Sequence, residues 1–162
     1  IHKGLSCWDC HAPDDKTYCA EGSDCAACHK VQADALRGQA RRLQVEPDPH
    51  ASRLACIDCH DTNEPKQSID GYARRCADCH NAQYAQLAYQ WAEALQRRQT
   101  AVEQLTASRD GPSLEQIRKD LSEAKECGLH NLNLTRRLYD RMTDLLQDTG
   151  NGTAASQEEQ TP

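Results

Sequence analysis

Cysteine and histidine recur together four times in this chain: Cys7-Trp8-Asp9-Cys10-His11, Cys25-Ala26-Ala27-Cys28-His29, Cys56-Ile57-Asp58-Cys59-His60 and Cys76-Ala77-Asp78-Cys79-His80. Two thiols three residues apart, followed at once by an imidazole, are the donor set that attaches a c-type haem. The thiols form two thioethers and the imidazole binds the iron. Zinc and disulfides are the competing chemistries. Finger-type zinc sites pair Cys-x2-Cys with ligands well downstream, and a disulfide framework has no use for a His after every pair. The repeated pattern therefore predicts four covalently bound haem c groups. Cys7, Cys10, Cys25, Cys28, Cys56, Cys59, Cys76 and Cys79 are the attachment points, and His11, His29, His60 and His80 the proximal iron ligands.

Each iron has a second axial face. Seven histidines less the four in the motifs leave His2, His50 and His130. Taken singly, each reads as an ordinary surface histidine. With four irons in need of a sixth ligand, all three are expected to be distal ligands. Three histidines cannot serve four haems, and self-association does not change the ratio. One iron must then stay open, or take Met, Lys, Cys, an amine or a residue from a partner. Met142 is the only methionine, but it falls in an apolar helical seam and reads as core. Lys16, Lys66 and Cys19 are the other candidates. A lysine ligand must first lose its proton, which requires burial. Cys19 and Cys127 stand outside the motifs. They are read as a disulfide, as two thiols or, for one of them, as an axial ligand.

The elements that position these residues follow a repeat. Residues 2–30 read His, four residues, CxxCH, thirteen residues, CxxCH; residues 50–80 read His, five residues, CxxCH, fifteen residues, CxxCH. A repeat transfers ligand logic between its copies. The organisation expected is a first di-haem module over 1–30, a helical linker over 31–49, a second module over 50–80, C-terminal helices over 81–148 and a disordered tail over 149–162. In the linker, "VQADALRGQARRLQ" predicts a short helix that stops before the prolines of "EPDP". From Asn81, Tyr84, Leu87, Trp91, Ala94, Leu95, Val102 and Leu105 recur at helical spacing, and Asp110-Gly111-Pro112 ends the run. Ser113 with Gln116 predicts a capping box for a second helix with Leu114, Ile117 and Leu121 on one face, closed by Gly128. Asn131 is expected to cap a third helix carrying Leu134, Leu138, Met142 and Leu145. The fold class predicted is mainly α: a small tetrahaem cytochrome c, with two di-haem modules of little regular structure followed by a bundle of three helices. Tyr89 and Trp91 read either as contacts to other chains or as packing on haem or helices.

Composition agrees. Apolar residues make up 38% of the 162 and Phe is absent, so a core built from side chains alone would be thin, and the macrocycles serve as core. A net charge of -6 leaves no basic footprint for nucleic acid. No apolar run approaches the ~20 residues of a membrane span. The first residue is Ile, which is read as the mark of a removed secretory signal. With covalent haem, this predicts a bacterial periplasmic or extracellular protein.

Three segments resemble the pentahaem cytochrome c nitrite reductases and their hydroxylamine oxidoreductase relatives. "GLHNLNLTRRLYDRM" is similar to the G-F-H-N segment that opens that family's last helix. "HASRLACIDCH" resembles its His before the penultimate haem motif. "CWDCHAPD" resembles its catalytic C-W-x-C-K-x-P-D, with His11 in place of lysine. The resemblance implies stacked haems followed by long helices, with His50 on the fourth haem and His130 on the third. By the repeat, His2 then serves the second, and the first haem is the odd one. The reductase's His between its last two motifs has no counterpart in residues 61–75, and 31–49 are too few to hold its substrate-binding insertion. The function expected is electron transfer along closely spaced haems, to or from a redox protein partner or within a larger redox complex, in a homo- or hetero-oligomer or alone. No catalytic residue is assigned. The competing function is a small redox enzyme acting on nitrite, hydroxylamine or a sulfur oxyanion at an open first haem. Arg37, Arg41 and Arg42 are its candidate cationic groups, though they read better as a solvated helix face.

Overall fold

A computed structural model describes residues 25–60, 68–107, 109 and 111–151. In these, seven helices and one small hairpin follow in the order α1 (Cys25–Cys28), α2 (Lys30–Leu36), β1 (Gln39–Ala40), β2 (Leu43–Gln44), α3 (Cys56–Cys59), α4 (Ile69–Cys79), α5 (Ala82–Ala107), α6 (Pro112–Cys127) and α7 (Leu132–Asn151). The mainly helical class expected from the sequence is the one observed, with three long helices, α5, α6 and α7, in the C-terminal half. The chain divides into two units. One comprises residues 1–30 and 50–90, the other 31–49 and 91–162.

The first unit carries every CxxCH motif, and its described residues form very little packed core. Among its described residues only Gly71, Ala73 and Ala88 are buried. Its longer helix, α4, starts at Ser68, whose Oγ accepts the Gly71 N–H at 3.1 Å, the usual N-cap arrangement. Asp58 caps α3 from inside, its Oδ2 accepting the Ala55 N–H at 2.7 Å.

The second unit has the conventional core. Leu95 and Val102 of α5, Leu114, Ile117, Leu121 and Ala124 of α6, and Leu134, Leu138, Tyr139, Met142 and Leu146 of α7 form one cluster with Ala35 and Cys127. Ion pairs at its surface join α5 to α7 through Arg98–Asp140 at 3.2 Å and α5 to α6 through Glu103–Lys125 at 2.6 Å. Lys125 holds the Glu103 carboxyl below its ordinary pKa.

Four local expectations are corrected. The linker helix ends at Leu36, because Gly38 turns the chain at φ 77° and a two-stranded antiparallel hairpin follows, pairing Gln39 with Gln44 and Ala40 with Leu43. The second helix begins at Pro112, not beyond Ser113, with Gly111 as its N-cap. Proline suits the first helical position, where its missing N–H is not needed. On α7 the seam is closed by Leu146, which is fully buried, while Leu145 is 40% exposed. Helix α7 also continues to Asn151, past the expected start of the tail, and the rest of the tail lies outside the described residues. Gly128 closes α6 as expected, at φ 50°.

Candidate haem-attachment sites

Three of the four motifs are described, and all three are built alike. Each Cys-x-x-Cys is a single helical turn: the whole of α1, the whole of α3, and the last turn of α4. In each, the N–H of the following histidine donates to the carbonyl of the first cysteine. The distances are 2.8 Å for His29 to Cys25, 2.9 Å for His60 to Cys56 and 2.9 Å for His80 to Cys76. The helical turn brings the cysteines at i and i+3 onto one face as neighbours. That is the disposition two thioether bonds to one macrocycle require. At α3 and α4 the chain leaves the helix at the histidine in extended conformation, at His60 and His80. All six cysteines are exposed or half-buried. No three His, Cys, Asp or Glu side chains cluster as a metal site among the described residues. The donor set and its local geometry thus fit haem c. Cys7, Cys10 and His11 lie outside the described residues, as do His2, Cys19, Lys16 and Lys66.

His50 and His80 come together. Their ring centroids are 6.0 Å apart and their planes meet at 77°. One face of His80 holds a residue that the sequence pattern assigned to the apolar seam of α5. The Tyr84 ring stacks on the imidazole at 4.2 Å and 16°. Its spacing, four residues beyond the motif histidine, is the only hint the sequence offers. Tyr89, one of the aromatics read as a contact to other chains, is 43% exposed and donates its hydroxyl to Asp70 Oδ1 at 2.9 Å. Trp91 is half-buried.

His130 belongs to the other unit, in the link between α6 and α7. Its Nδ1 lies 2.9 Å from the Cys127 carbonyl. A carbonyl only accepts, so Nδ1 is the donor in this contact, which makes Nε2 the nitrogen through which a neutral ring would bind a metal. Asn131 caps α7 as expected: its Oδ1 accepts the Leu134 N–H at 3.0 Å, and its Nδ2 donates to the Glu46 carbonyl at 3.1 Å. Cys127 is fully buried, and burial, with help from Glu123 and Glu126, pushes its thiol up to about 12. Met142 is also fully buried in the α7 seam, in keeping with a packing role. Arg37 pairs with Asp34 at 3.4 Å, Arg42 donates to Gln116 Oε1 at 2.9 Å, and the Arg41 N–H donates to Glu123 Oε1 at 2.8 Å.

No helix among the described residues is long and apolar enough to cross a membrane. No curated protein and no solved structure matches the chain. A family model, Cytochrome c3, matches residues 1–81. That is half of the 162 residues and the half that contains all four CxxCH motifs; the match reaches neither the "GLHN" segment nor the reductase family it resembles. The repeated haem-attachment turns and this match together make the chain a member of the cytochrome c3 family, multihaem c-type cytochromes that carry electrons on covalently bound haem.

Proposed function

We propose that this protein is a tetrahaem electron carrier of the bacterial periplasm or cell exterior, delivering electrons to or from a redox protein partner or within a larger redox complex. The observation that carries the reading is the uniform CxxCH turn, seen three times in a unit with almost no side-chain core among its described residues. Haem, when bound, supplies an iron that cycles between ferric and ferrous states. The chain's own contribution is attachment, axial ligation and exposure. Cys7, Cys10, Cys25, Cys28, Cys56, Cys59, Cys76 and Cys79 anchor four haems, and His11, His29, His60 and His80 ligate them. His2, His50 and His130 are the distal ligands of the second, fourth and third haems. The reductase resemblance supports His50 and His130, and the repeat supports His2. Bis-His ligation and solvent exposure both favour low potentials. The net charge of -6 suits transient docking to a basic partner.

A reductase role at the first haem would need cationic groups free to meet an anion. Of the arginines read as candidates, the Arg37 guanidinium pairs with Asp34 and that of Arg42 donates to Gln116 within their own unit, which favours electron transfer. Mass spectrometry of the mature protein counts the haems, and a stepwise reductive titration reads their potentials. Four attached haems, three of them reduced at low potential, and no turnover of nitrite or hydroxylamine is the result expected. Fewer than four haems, or turnover of nitrite or hydroxylamine, would overturn it.

A further inference from the structure

We infer that the haem anchored by Cys76 and Cys79 has axial imidazoles with nearly perpendicular planes, from His80 and His50, and that Tyr84 is the positioning residue that sets the plane of His80. The inference rests on the proposal that His50 is a distal ligand. Two imidazoles on one iron, each with a metal–nitrogen bond of about 2 Å, place their ring centres roughly 6 Å apart. His50 and His80 stand at 6.0 Å, with 77° between their planes.

A ligating imidazole can still turn about its metal–nitrogen bond. What fixes its plane is the group that touches its face or its other nitrogen. For His80 a face is occupied by the Tyr84 ring, stacked at 4.2 Å and 16°, an offset arrangement that aromatic rings favour. Tyr84 is itself held. Its N–H donates to the Asn81 carbonyl at 3.0 Å, and Asn81 Oδ1 accepts the Gln83 N–H at 3.0 Å, so the first turn of α5 is capped beside it. Further along the same helix, the Tyr89 hydroxyl ties α5 to the first turn of α4 through Asp70. The Tyr89–Asp70 bond and the Tyr84–His80 stack thus tie α5 to the start of α4 and to the histidine that follows it.

The plane angle has a direct electronic consequence. Parallel imidazoles split the two iron d orbitals that accept ligand π density and give a rhombic low-spin signal. Perpendicular imidazoles leave those orbitals nearly degenerate and give a highly anisotropic signal with a large leading g-value.

The test is low-temperature electron paramagnetic resonance of the oxidised holoprotein and of His50→Ala, Tyr84→Phe and Tyr84→Ala, with attached haem counted by mass spectrometry. The wild type is expected to show a highly anisotropic low-spin signal amounting to about one haem, by the one-site ligand count. His50→Ala should abolish that signal and no other. Tyr84→Phe should retain it, and Tyr84→Ala should move its leading g-value down toward the rhombic range. Absence of the signal in the wild type, or loss of a rhombic signal in His50→Ala, overturns the perpendicular geometry while leaving His50 a ligand. If His50→Ala keeps every low-spin signal with its haems in place, the ligand assignment beneath fails instead. An unchanged signal in Tyr84→Ala overturns the role of Tyr84. Should that variant yield no holoprotein, Tyr84→Leu, which supplies bulk without a flat face, is read in the same way.

Discussion

His130 shows how single side chains are aimed here. The Cys127 carbonyl holds its Nδ1 at 2.9 Å, and the next residue, Asn131, is locked by its cap and by the Glu46 carbonyl. His130→Ala is expected to turn one low-spin haem high-spin or make it bind carbon monoxide, with the haem count unchanged, as visible and resonance spectra will report. Asn131→Ala should cost about 1 kcal/mol through the lost cap, measured by denaturant unfolding. Two buried titratable groups predict behaviour in alkali. Burial raises the Cys127 thiol from 9.0 to about 12 and the Tyr139 phenol from 10.0 to about 12. In both, the fold favours the protonated form. Their contribution is fully present below the unfolded values and is lost as pH rises toward the folded ones, at up to about 1.4 kcal/mol per pH unit for each group. Unfolding measured at pH 8 and pH 11 should show this loss, and Cys127→Ala and Tyr139→Phe should each show less of it than the wild type.

At the scale of elements, two glycines that look alike in sequence should respond differently to alanine. Gly128 sits at φ 50°, where an added Cβ meets only the Lys125 carbonyl oxygen at 3.7 Å, an ordinary contact. Gly128→Ala therefore meets no steric clash and costs backbone strain alone, about 1–3 kcal/mol, because φ 50° with ψ −127° lies outside the left-handed helical well. Gly38 sits at φ 77°, and a Cβ there would lie 2.2 Å from the Val45 oxygen and 2.8 Å from the Glu46 oxygen. Backbone cannot give way cheaply, so Gly38→Ala should lower the melting temperature more than Gly128→Ala does, as calorimetry of the two variants will show. The long C-terminal helices were legible from periodicity and punctuation: α5 from its apolar spacing, the end of α6 from Gly128, the start of α7 from Asn131; α1, α3 and α4 fall in modules expected to hold little regular structure. The hairpin was not legible either. "RGQARRLQ" has no turn dipeptide of the usual hairpin kind, and its turn is held from outside, by Glu123 on the Arg41 N–H and by Arg141 on the Arg42 carbonyl at 2.9 Å. Those partners lie 82 and 99 residues away.

For the whole molecule, the two units should differ in what they need to fold. The unit of residues 31–49 and 91–162 owns a continuous apolar core, whereas the CxxCH unit has few buried side chains among its described residues. Chain produced without haem attachment is expected to keep the circular dichroism of the C-terminal helices, and proteolysis should confine cutting to the motif-bearing unit. Loss of all helical signal would contradict this. Ligand counting supplies the remaining prediction: three haems with two imidazoles each and one that is open or carries another ligand. Oxidised protein should then give one high-spin or atypical signal, about one haem in four. Four bis-His signals from the isolated chain would refute it, and with it the odd status of the haem on Cys7, Cys10 and His11.

Haem attachment was readable from sequence alone because it is local. Two cysteines and a histidine within five residues close one helical turn wherever that turn lies, and α1, α3 and α4 close it in the same way. The count of histidines, on which the predicted shortage of one distal ligand rests, was equally a property of composition. Only the tertiary structure decided which side chains face one another. His50 and His80 are brought to 6.0 Å, Tyr84 is laid on His80, and Leu146 rather than Leu145 closes the α7 seam. The physical reason is that a ring–ring contact depends on the direction of two chain segments. Residue spacing fixes distance along a helix, but not which neighbouring segment its faces will meet.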